Sequence, residues 1–583
     1  MAIIRAAPGA TSSDGLSLLA ARPIMRRALS SLAQSTSRTE QRNREISLPS
    51  WGAEAAFGAL IVLGTAIAFF ETRGFSFYFD DWDFVLHRRG LSPSVLLAPH
   101  GPHLVVLPIL IYKFLLKVFG GSYLPFRVLT ALDMAGLAFA VGFVCRRLWG
   151  RWWGLVPVLA LVTLGCGSWP LLWSFEVEYA IADALGVVAL LALALDWRHS
   201  RPLACALLVL ALASGSQGVG FLVGAAVMVA LRGHWRRSAW VVGVPAVLYA
   251  LWYMKYGHQA SETHLSLWRG TLPYVMTSFA STVSGMLGLG SPTNDLPPQL
   301  DPSFGQPIAI AAVIALGVAL ARGWRPPPLF WGATTTMVAL WVAASLSNVD
   351  ATRRPTDSRY LSTSVILLLV ALCASLPRPR LRRAGIVVVC LALAAIAITN
   401  AGQYTPMRNQ MLATSQDSRA QLGALLIMRG IVPDWFSPAP PFTAGLVNDV
   451  QAGVFYSAYD AYGGLPADSL AQLERDPETP RQLADQALAR GEELGYAFVS
   501  VGDAASGACQ AAPVDLVLHP GTYTFLPAAQ GTLTAATGRF AHTFDIPLGV
   551  VPRGRAATLH IPADRAPSVP WRLQVSGRGQ VCA

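Results

Sequence analysis

Three carboxylates stand within one short aromatic segment, residues 77–84 (FYFDDWDF), shortly after the first long apolar run of the sequence. Aromatic side chains are common where a helix leaves a membrane, but clustered carboxylates beside hydrocarbon are costly and require a compensating interaction. An aspartate that caps a helix beginning near Trp82 would account for one of the three. The chemical alternative is a general base, or an anchor for a cation or hydroxyl groups, because adjacent like charges raise the pKa of at least one carboxyl.

Three arginines occupy a second polar segment, residues 347–360 (SNVDATRRPTDSRY), which joins two apolar runs. Arg353, Arg354 and Arg359 could neutralise a phosphate group, since a guanidinium pairs with phosphate oxygens in a bidentate manner. The structural alternative is that the two aspartates of the same segment pair with these arginines in a solvated loop. Arg359 is the hardest to explain in that way, because it opens the next apolar run.

Other ionisable side chains lie at or within apolar runs, where such residues are more often functional than elsewhere. Arg127 and Asp133 both fall inside one apolar run, and the structural alternative to a functional role is that they pair with each other. The histidines could bind a metal or a hydroxyl, or could be ordinary loop residues beside proline. The weaker candidates are Glu176, Glu178, Arg127, Asp133, His100 and His103.

The composition indicates which class of protein must position these residues. The chain of 583 residues is 53% hydrophobic and 13% charged, and its mean hydropathy is +0.45. A soluble globular protein carries roughly 25% charged residues, so the composition indicates a helical protein with many membrane spans and excludes a disordered, collagenous or disulfide-rich chain. The net charge of +11 does not indicate nucleic-acid binding, because much of the arginine lies in short clusters between apolar runs.

Apolar runs recur along the chain, and a spanning helix needs roughly 17–25 apolar residues. Two of the shorter runs are separated by Ser214–Gly218 and predict either two short helices or one kinked helix. Residues 103–119 are also apolar, but Lys113 and Lys117 fall on one face, which predicts an amphipathic helix in the membrane interface. The eleven predicted spans are 52–70, 124–145, 153–168, 179–195, 202–214, 217–231, 238–254, 306–322, 328–346, 359–376 and 384–400.

The loops between these runs predict the orientation. If both short runs cross the membrane, the arginine-rich loops all fall on one side, which the positive-inside rule assigns to the cytoplasm. The polar, basic residues 1–50 then form a disordered cytoplasmic tail. Three long segments fall on the outer side, namely 71–122, 255–305 and the chain after about residue 401.

Residues 401–583 change character and predict a separate outward-facing domain. A helical stretch is expected over 466–491, followed by short β-rich runs that Gly and Pro separate, as in a β-sandwich. Cys509 and Cys582 are a candidate disulfide pair in an oxidising compartment. The β-rich runs are Tyr496–Val501, Val514–Leu518, Thr522–Phe525, Phe540–Phe544, Ala557–Ile561 and Trp571–Val575.

An acidic pair, Asp80 and Asp81, in the first outer loop of a many-span protein resembles the GT-C class of membrane glycosyltransferases. The segment 99–103 (PHGPH), the amphipathic helix that follows it and the paired short helices at Ser214–Gly218 are also similar to that class. The resemblance covers residues 50–400 and implies an all-α polytopic fold in the bacterial cytoplasmic membrane. It also implies a polyprenyl-phosphate sugar as donor on the outer face. The C-terminal extracytoplasmic α+β domain, which is β-sandwich-like, lies outside the resemblance.

The resemblance therefore predicts transfer of a sugar from a polyprenyl monophosphate to an extracytoplasmic glycan, lipid or protein acceptor, with inversion. Asp81 would take the proton from the acceptor hydroxyl, assisted by Asp80 or Asp83. Arginines would neutralise the departing phosphate, so no cofactor is expected and a divalent metal is compatible but not required. The predicted phosphate-binding residues are Arg359, Arg353 and Arg354, and the predicted substrate-binding residues are His100, His103, Glu176 and Glu178.

Two other functional classes stay open from the sequence. A transporter or lipid flippase places its ionisable residues near the bilayer midplane and often has repeated halves, whereas this acidic cluster lies in a surface loop and no internal repeat is visible. A non-catalytic envelope assembly factor would act through the β domain. If Asp80 or Asp81 faces one cavity with Arg359, the enzyme is favoured, and if they are separated, a scaffold is favoured.

Overall fold

A computed structural model describes most of the chain, and residues 56–583 form one compact unit. Residues 50–55 are the first residues of the first helix. The predicted cytoplasmic tail, residues 1–50, lies outside the described residues except for Ser50, which begins the first helix. The described ranges are 50–195, 197–232, 235–260, 263–290, 292–293, 295, 298–349, 353–439, 450–501, 507–563 and 568–583.

The first part of the described chain is helical. Its helices are α1 (Ser50–Glu71), α2 (Val106–Phe119), α3 (Leu124–Trp149), α4 (Leu155–Val162), α5 (Val177–Leu195), α6 (Ser200–Leu212), α7 (Gln217–Ala230), α8 (Trp235–Lys255), α9 (Thr271–Met286), α10 (Gly305–Ala321), α11 (Pro328–Leu346), α12 (Leu361–Ser375), α13 (Arg383–Gly402) and α14 (Tyr404–Ile427). Short helical turns lie between them at Asp83–His87, Pro93–Leu96, Trp169–Leu172, Ser174–Glu176, Gly257–Ala260, Leu265–Gly270 and Ser358–Tyr360.

Several of these segments could cross a membrane. Six in the described chain are long and apolar enough, namely Trp51–Glu71, Leu124–Trp149, Ser174–Leu195, Pro328–Leu346, Ser358–Ser375 and Arg383–Ile427. Helices α6, α7 and α10 are apolar but shorter. The predicted membrane character therefore agrees with the structure, while the count of eleven spans stays a prediction. Helices α6 and α7 are separate, and the start of α2 meets the turn between them through a hydrogen bond from Leu107 N–H to Ala213 O (3.1 Å).

The third apolar run, 153–168, is not one continuous helix. Helix α4 ends at Val162, and the chain then turns through two glycines before the short helical turn Trp169–Leu172. Gly165 allows a close approach here, because a Cβ at that position would lie 2.2 Å from the carbonyl oxygen of Asn400. The break has a structural consequence, since Trp173 lies between two short helical turns, Trp169–Leu172 and Ser174–Glu176, and not inside a long helix.

The segment 255–305, which was predicted to lie on the outer side, contains a helix that the sequence did not predict. Helix α9 is rich in Ser and Thr, whose hydroxyls can bond to carbonyls one helical turn back. Thr282 donates such a bond to Ser278 O (2.7 Å). The segment packs on the arginine-rich loop, because Tyr274 OH donates to Arg353 O (3.0 Å) and Leu300 N–H donates to Thr356 O (2.8 Å).

The C-terminal part begins with the polar helix α14 and continues through α15 (Ala452–Ala461), the turn Leu470–Leu473 and α16 (Glu478–Gly491). Two antiparallel sheets follow, with strand orders β1-β7-β4-β9-β2 and β3-β8-β5-β6. The strands are β1 (Tyr496–Val499), β2 (Cys509–Ala511), β3 (Val514–Val517), β4 (Gly521–Pro527), β5 (Leu533–Gly538), β6 (Ile546–Val551), β7 (Ala556–Ile561), β8 (Arg572–Gly577) and β9 (Gly579–Cys582). Both sheets contribute side chains such as Phe525 and Leu573 to the same apolar core as the helices.

One predicted strand, Phe540–Phe544, is wrong. These residues form the connection between β5 and β6. The physical reason is the buried carboxylate of Asp485 on α16, which accepts hydrogen bonds from the backbone N–H groups of Arg539 (2.7 Å), Phe540 (2.9 Å) and Ala541 (3.0 Å). Backbone donors that bond to a carboxylate cannot also pair with a neighbouring strand.

Cys509 and Cys582 form a disulfide, and the two residues lie directly opposite each other in the β2–β9 pairing. The sequence separation is 73 residues, so in the loop-entropy view the bond stabilises the domain by roughly 3–5 kcal/mol. We expect the double variant Cys509→Ser, Cys582→Ser to unfold at a clearly lower temperature. The matched control is Cys390→Ser, which removes a cysteine that is not in a disulfide. Equal melting temperatures for the double variant and the control would contradict this expectation.

Candidate active site

Asp81 lies in the segment 71–122, which was predicted to be the first outer loop, and it is fully buried, with 0% exposure. Its carboxylate accepts hydrogen bonds from Tyr78 N–H (3.2 Å), Trp173 Nε1 (2.7 Å), Ser174 Oγ (3.2 Å) and the hydroxyl of Tyr112. Burial raises the pKa of the Asp81 carboxyl to about 7, although these donors act in the opposite direction. The carboxylate therefore joins the acidic segment, helix α2 and the broken third run, and it is closed to solvent.

The aromatic side chains of the acidic segment pack inward around this carboxylate. Tyr78 stacks on Trp173 with ring centroids 4.9 Å apart, Phe77 meets Phe126 at 4.8 Å, and Phe84 meets Tyr112 at 5.2 Å. The helical turn Asp83–His87 has no side-chain cap from its preceding residue. Neither a membrane-surface anchor nor a helix cap therefore accounts for the segment.

Asp80 has the opposite environment from its neighbour, with a side chain that is 54% exposed. The preceding residue, Phe79, has a φ of +48°, a left-handed conformation that costs a bulky residue roughly 1–3 kcal/mol. The turn it forms closes with hydrogen bonds from Asp81 N–H to Tyr78 O (3.2 Å) and from Trp82 N–H to Phe79 O (3.1 Å). Strain of this kind is found where a chain must hold a side chain in a required position, and the side chain that this turn leaves exposed is that of Asp80.

His100 connects the other two carboxylates of the cluster. Its Nδ1 lies 2.9 Å from Asp83 Oδ2, and its Nε2 lies 3.7 Å from Asp80 Oδ1. Burial disfavours the imidazolium, but hydrogen bonds and charges from the two carboxylates outweigh this effect and raise the pKa of His100 to about 10. Burial also opposes the charge on Asp83, yet His100 and Arg88 hold the pKa of Asp83 below its ordinary value. Arg88 donates from Nε to Asp83 Oδ2 (2.9 Å) and from its Nη atoms to carbonyls in the segment before His100.

This ion-pair network predicts a pH dependence of stability. The pKa of His100 is about 10 in the folded protein and ordinarily 6.5, so its stabilising contribution is fully present below about pH 6.5 and is lost as the pH rises through about 10. We expect the melting temperature of the wild-type protein to fall between pH 6.5 and pH 10 by more than that of His100→Gln. Parallel pH profiles for the two proteins would show that the imidazolium contributes nothing.

The arginine-rich loop has its own buried carboxylate. Asp357 is 2% exposed, accepts a hydrogen bond from Arg354 N–H (3.0 Å) and lies 3.5 Å from Arg359 Nη2. Burial raises the pKa of Asp357 to about 6, against the effect of both arginines. The predicted pairing of an aspartate of this loop with arginine is therefore present, and it fixes the position of Arg359 at the start of α12.

Charged groups of the acidic cluster and of the arginine-rich loop both lie within electrostatic range of His103 and Glu176. Burial lowers the pKa of His103 to about 3, and the charges of Arg353, His100 and Arg359 act in the same direction. The carboxyl group of Glu176 is buried, and one of its oxygens has no hydrogen-bond partner among the described residues. The groups within electrostatic range of Glu176 are Glu178, Arg359, Asp80 and His100. The structure thus brings the predicted acidic, histidine and arginine residues into one region.

Two residues that the sequence analysis did not select hold the helices that carry this region. Thr363 Oγ1 donates a 2.6 Å hydrogen bond to Asp183 Oδ2, and both side chains are buried. Thr363 follows Arg359 by about one helical turn on α12, and Asp183 follows Glu176 and Glu178 on α5. The bond therefore fixes the separation between Arg359 and the two glutamates. The sequence signal was a lone aspartate inside an apolar run, which marks a functional or paired residue.

Arg127 does not pair with Asp133 in the part of the chain that the structure describes. Its guanidinium donates to Phe69 O (2.8 Å) and lies over the Phe69 ring, 4.6 Å from the centroid. It therefore ties α3 to the end of α1 and has a structural role. Within the described ranges, no group of three or more His, Cys, Asp or Glu side chains is arranged to hold a metal ion.

No protein-family model matches this chain, and no curated protein matches it. Among solved structures it is similar to the crystal structure of ArnT from Cupriavidus metallidurans bound to undecaprenyl phosphate. The identity is 14%, the TM-score is 0.43, and the match covers 71% of this chain and 90% of that chain. A similarity of this size carries no argument about function, and the chemistry is therefore inferred from the chain's own residues.

Proposed function

We propose that this protein is a membrane glycosyltransferase that moves a sugar from a polyprenyl monophosphate to an extracytoplasmic acceptor, with inversion. The observation that supports this proposal is that an exposed carboxylate, Asp80, and Arg359 of the arginine-rich loop both lie within electrostatic range of the buried Glu176. A base and a cationic phosphate site are the two parts that such a reaction needs. The function requires that the first outer loop and the C-terminal domain lie outside the cytoplasm, in agreement with the basic loops of the sequence.

In this proposal Asp80, and not Asp81, is the base. A base must reach the proton that it removes, and Asp81 is buried with four hydrogen-bond donors around it. Asp80 is exposed on one side and bound to His100 on the other, so the imidazolium orients its carboxylate. Asp83 then acts as a positioning residue, because it holds both His100 and Arg88.

The chemical step is a single displacement at the anomeric carbon. The acceptor oxygen attacks from the side opposite the phosphate, and Asp80 takes its proton as the new carbon–oxygen bond forms. The bond from the anomeric carbon to the phosphate oxygen breaks, and its electron pair leaves with the polyprenyl phosphate. The phosphate gains a negative charge in this step. Arg359 and Arg353 stabilise that charge, because hydrogen bonds from a guanidinium become stronger as negative charge develops on the acceptor oxygens.

The test is transfer from a defined donor. The purified full-length protein in proteoliposomes is incubated with a panel of radiolabelled polyprenyl-phosphate sugars, and label in the acceptor fraction is measured. Arg359→Ala should weaken donor binding as well as turnover, whereas Arg269→Ala, which removes an exposed arginine of the outer segment 255–305, should do neither. Failure of every donor in the panel, with a folded protein, would refute the proposed reaction.

A further inference from the structure

An open cleft of about 690 Å³, with both polar and apolar walls, lies between the segment 71–122 and the C-terminal part of the chain. Its walls include Arg89 from the first outer loop, Asp434 and Trp435 from the segment after α14, and Gln451, Tyr456 and Ser457 at α15. Pockets that bind small molecules or single sugar units have volumes of about 300–1,000 Å³ and often lie between domains. The size and position of this cleft fit that class.

Trp435 is the outstanding feature of the cleft, because its side chain is 72% exposed. An exposed indole forgoes the free energy of burying a large apolar surface. The face of a pyranose ring that carries axial C–H groups is apolar and flat, and it covers such an indole well. The neighbouring carboxylate of Asp434 can accept hydrogen bonds from the hydroxyl groups at the ring edge. The amide of Gln451 can both donate hydrogen bonds to these hydroxyl groups and accept them.

The other wall of the cleft is fixed. Arg89 donates from Nη1 to Ser457 Oγ (2.9 Å) and from Nη2 to Val454 O (3.3 Å), which ties the first outer loop to α15. Tyr456 donates its hydroxyl to Leu425 O (2.6 Å), and Arg429 lies over its ring, 5.3 Å from the centroid. Side chains that are fixed in this way, in the same cleft as an exposed indole, are suited to holding a ligand in one orientation.

An exposed tryptophan could also anchor a protein at a membrane interface. The composition of this cleft argues against that role, because the charged groups of Asp434 and Arg89 share the cleft with Trp435. Charged side chains against lipid are costly, whereas the same groups are natural partners for the hydroxyls of a carbohydrate. The observations therefore favour a glycan over a lipid surface.

We propose that the acceptor is a carbohydrate chain and that it binds in this cleft, with a sugar ring stacked on Trp435. This inference rests on the proposed function and specifies its acceptor. The segment 83–90 links the two sites, since Arg89 lines the cleft while Arg88, its neighbour, holds Asp83 in the acidic cluster. A glycan seated on Trp435 can thus extend along the first outer loop toward Asp80.

The experiment measures glycan binding without any donor. The full-length protein in lipid nanodiscs is titrated by calorimetry with hexasaccharides of glucose, mannose, galactose, rhamnose, arabinose and N-acetylglucosamine. At least one should bind, and Trp435→Ala should weaken that binding by about tenfold or more. Asp434→Asn should weaken it as well. The matched control is Trp268→Ala, which removes an indole that is 65% exposed but lies outside the cleft, and it should bind as the wild type does.

The inference is overturned if none of the hexasaccharides binds, or if Trp435→Ala binds them as tightly as the wild type. Quenching of Trp435 by brominated lipids, together with unchanged glycan binding, would identify a membrane anchor instead. Transfer from polyprenyl-phosphate sugars is measured separately on the same preparations. If glycan binding depends on Trp435 but no sugar is transferred, the cleft is a glycan site and the proposed polyprenyl-phosphate donor is wrong. If sugar is transferred but glycan binding does not depend on Trp435, only the proposed role of the cleft is wrong.

Discussion

Asp80→Asn should slow sugar transfer by about 10²–10⁴-fold, which is the usual effect of removing a general base. The amide keeps the size of the side chain and one acceptor atom toward His100, so the fold and donor binding should persist. The measurement is the single-turnover rate of transfer at saturating donor. Asp83→Asn should be milder, because Asp83 orients His100 and does not touch the acceptor.

The matched control for this variant is Asp515→Asn, which neutralises an exposed carboxylate on β3. It should transfer sugar at the wild-type rate. If Asp80→Asn also transfers at a near-normal rate, Asp80 is not the base. If the variants Asp80→Asn, Asp81→Asn and Asp83→Asn are all folded and active, the glycosyltransferase assignment loses its main support.

Asp81→Asn should act on stability. Four donors converge on the Asp81 carboxylate, and an amide would direct its own N–H₂ group at some of them. A buried donor left without an acceptor costs about 1–3 kcal/mol, so we expect a loss of about 2–4 kcal/mol in the free energy of unfolding. The measurement is the melting temperature together with the transfer rate per folded molecule, which should stay close to that of the wild type.

The two asparagine variants therefore separate the two adjacent aspartates. An Asp81→Asn protein that melts like the wild type and has no activity would reverse the assignment and make Asp81 the base. A protein that melts early but retains its rate at low temperature would agree with a buried carboxylate that organises the site. The same comparison should be made at one pH, because the pKa of Asp81 lies near 7.

The sequence was sufficient to select the region of the site but not the role of each residue. The acidic segment, His100 and Arg359 were identifiable because ionisable groups beside apolar runs need a reason to be there. The choice between Asp80 and Asp81 could not be made from the sequence. It depends on the positive φ of Phe79, and no pattern of residue types predicts that backbone conformation. Asp81 was chosen as the base from the sequence, and the structure favours Asp80 for contact with substrate.

The fold was predictable where one physical effect dominates. Long apolar runs predicted helices, and short β-rich runs predicted five of the nine β strands in the described chain, whereas β2, β5, β6 and β9 were not predicted. The broken run after α4 was not predicted because it depends on close packing at Gly165. Helix α9 was not predicted because its many Ser and Thr residues weaken both the apolar and the helical pattern of the sequence. The strand predicted at Phe540–Phe544 failed because of Asp485, a partner from a different part of the chain.

The buried bonds of Asp81 also set an order of events during synthesis. Its partners Tyr112, Trp173 and Ser174 follow it by 31, 92 and 93 residues. At a synthesis rate of about 5–20 residues per second, Ser174 is made about 5–20 s after Asp81. The carboxylate of Asp81 therefore cannot be fully enclosed until synthesis has passed Ser174, and the segment around it stays incomplete during that interval.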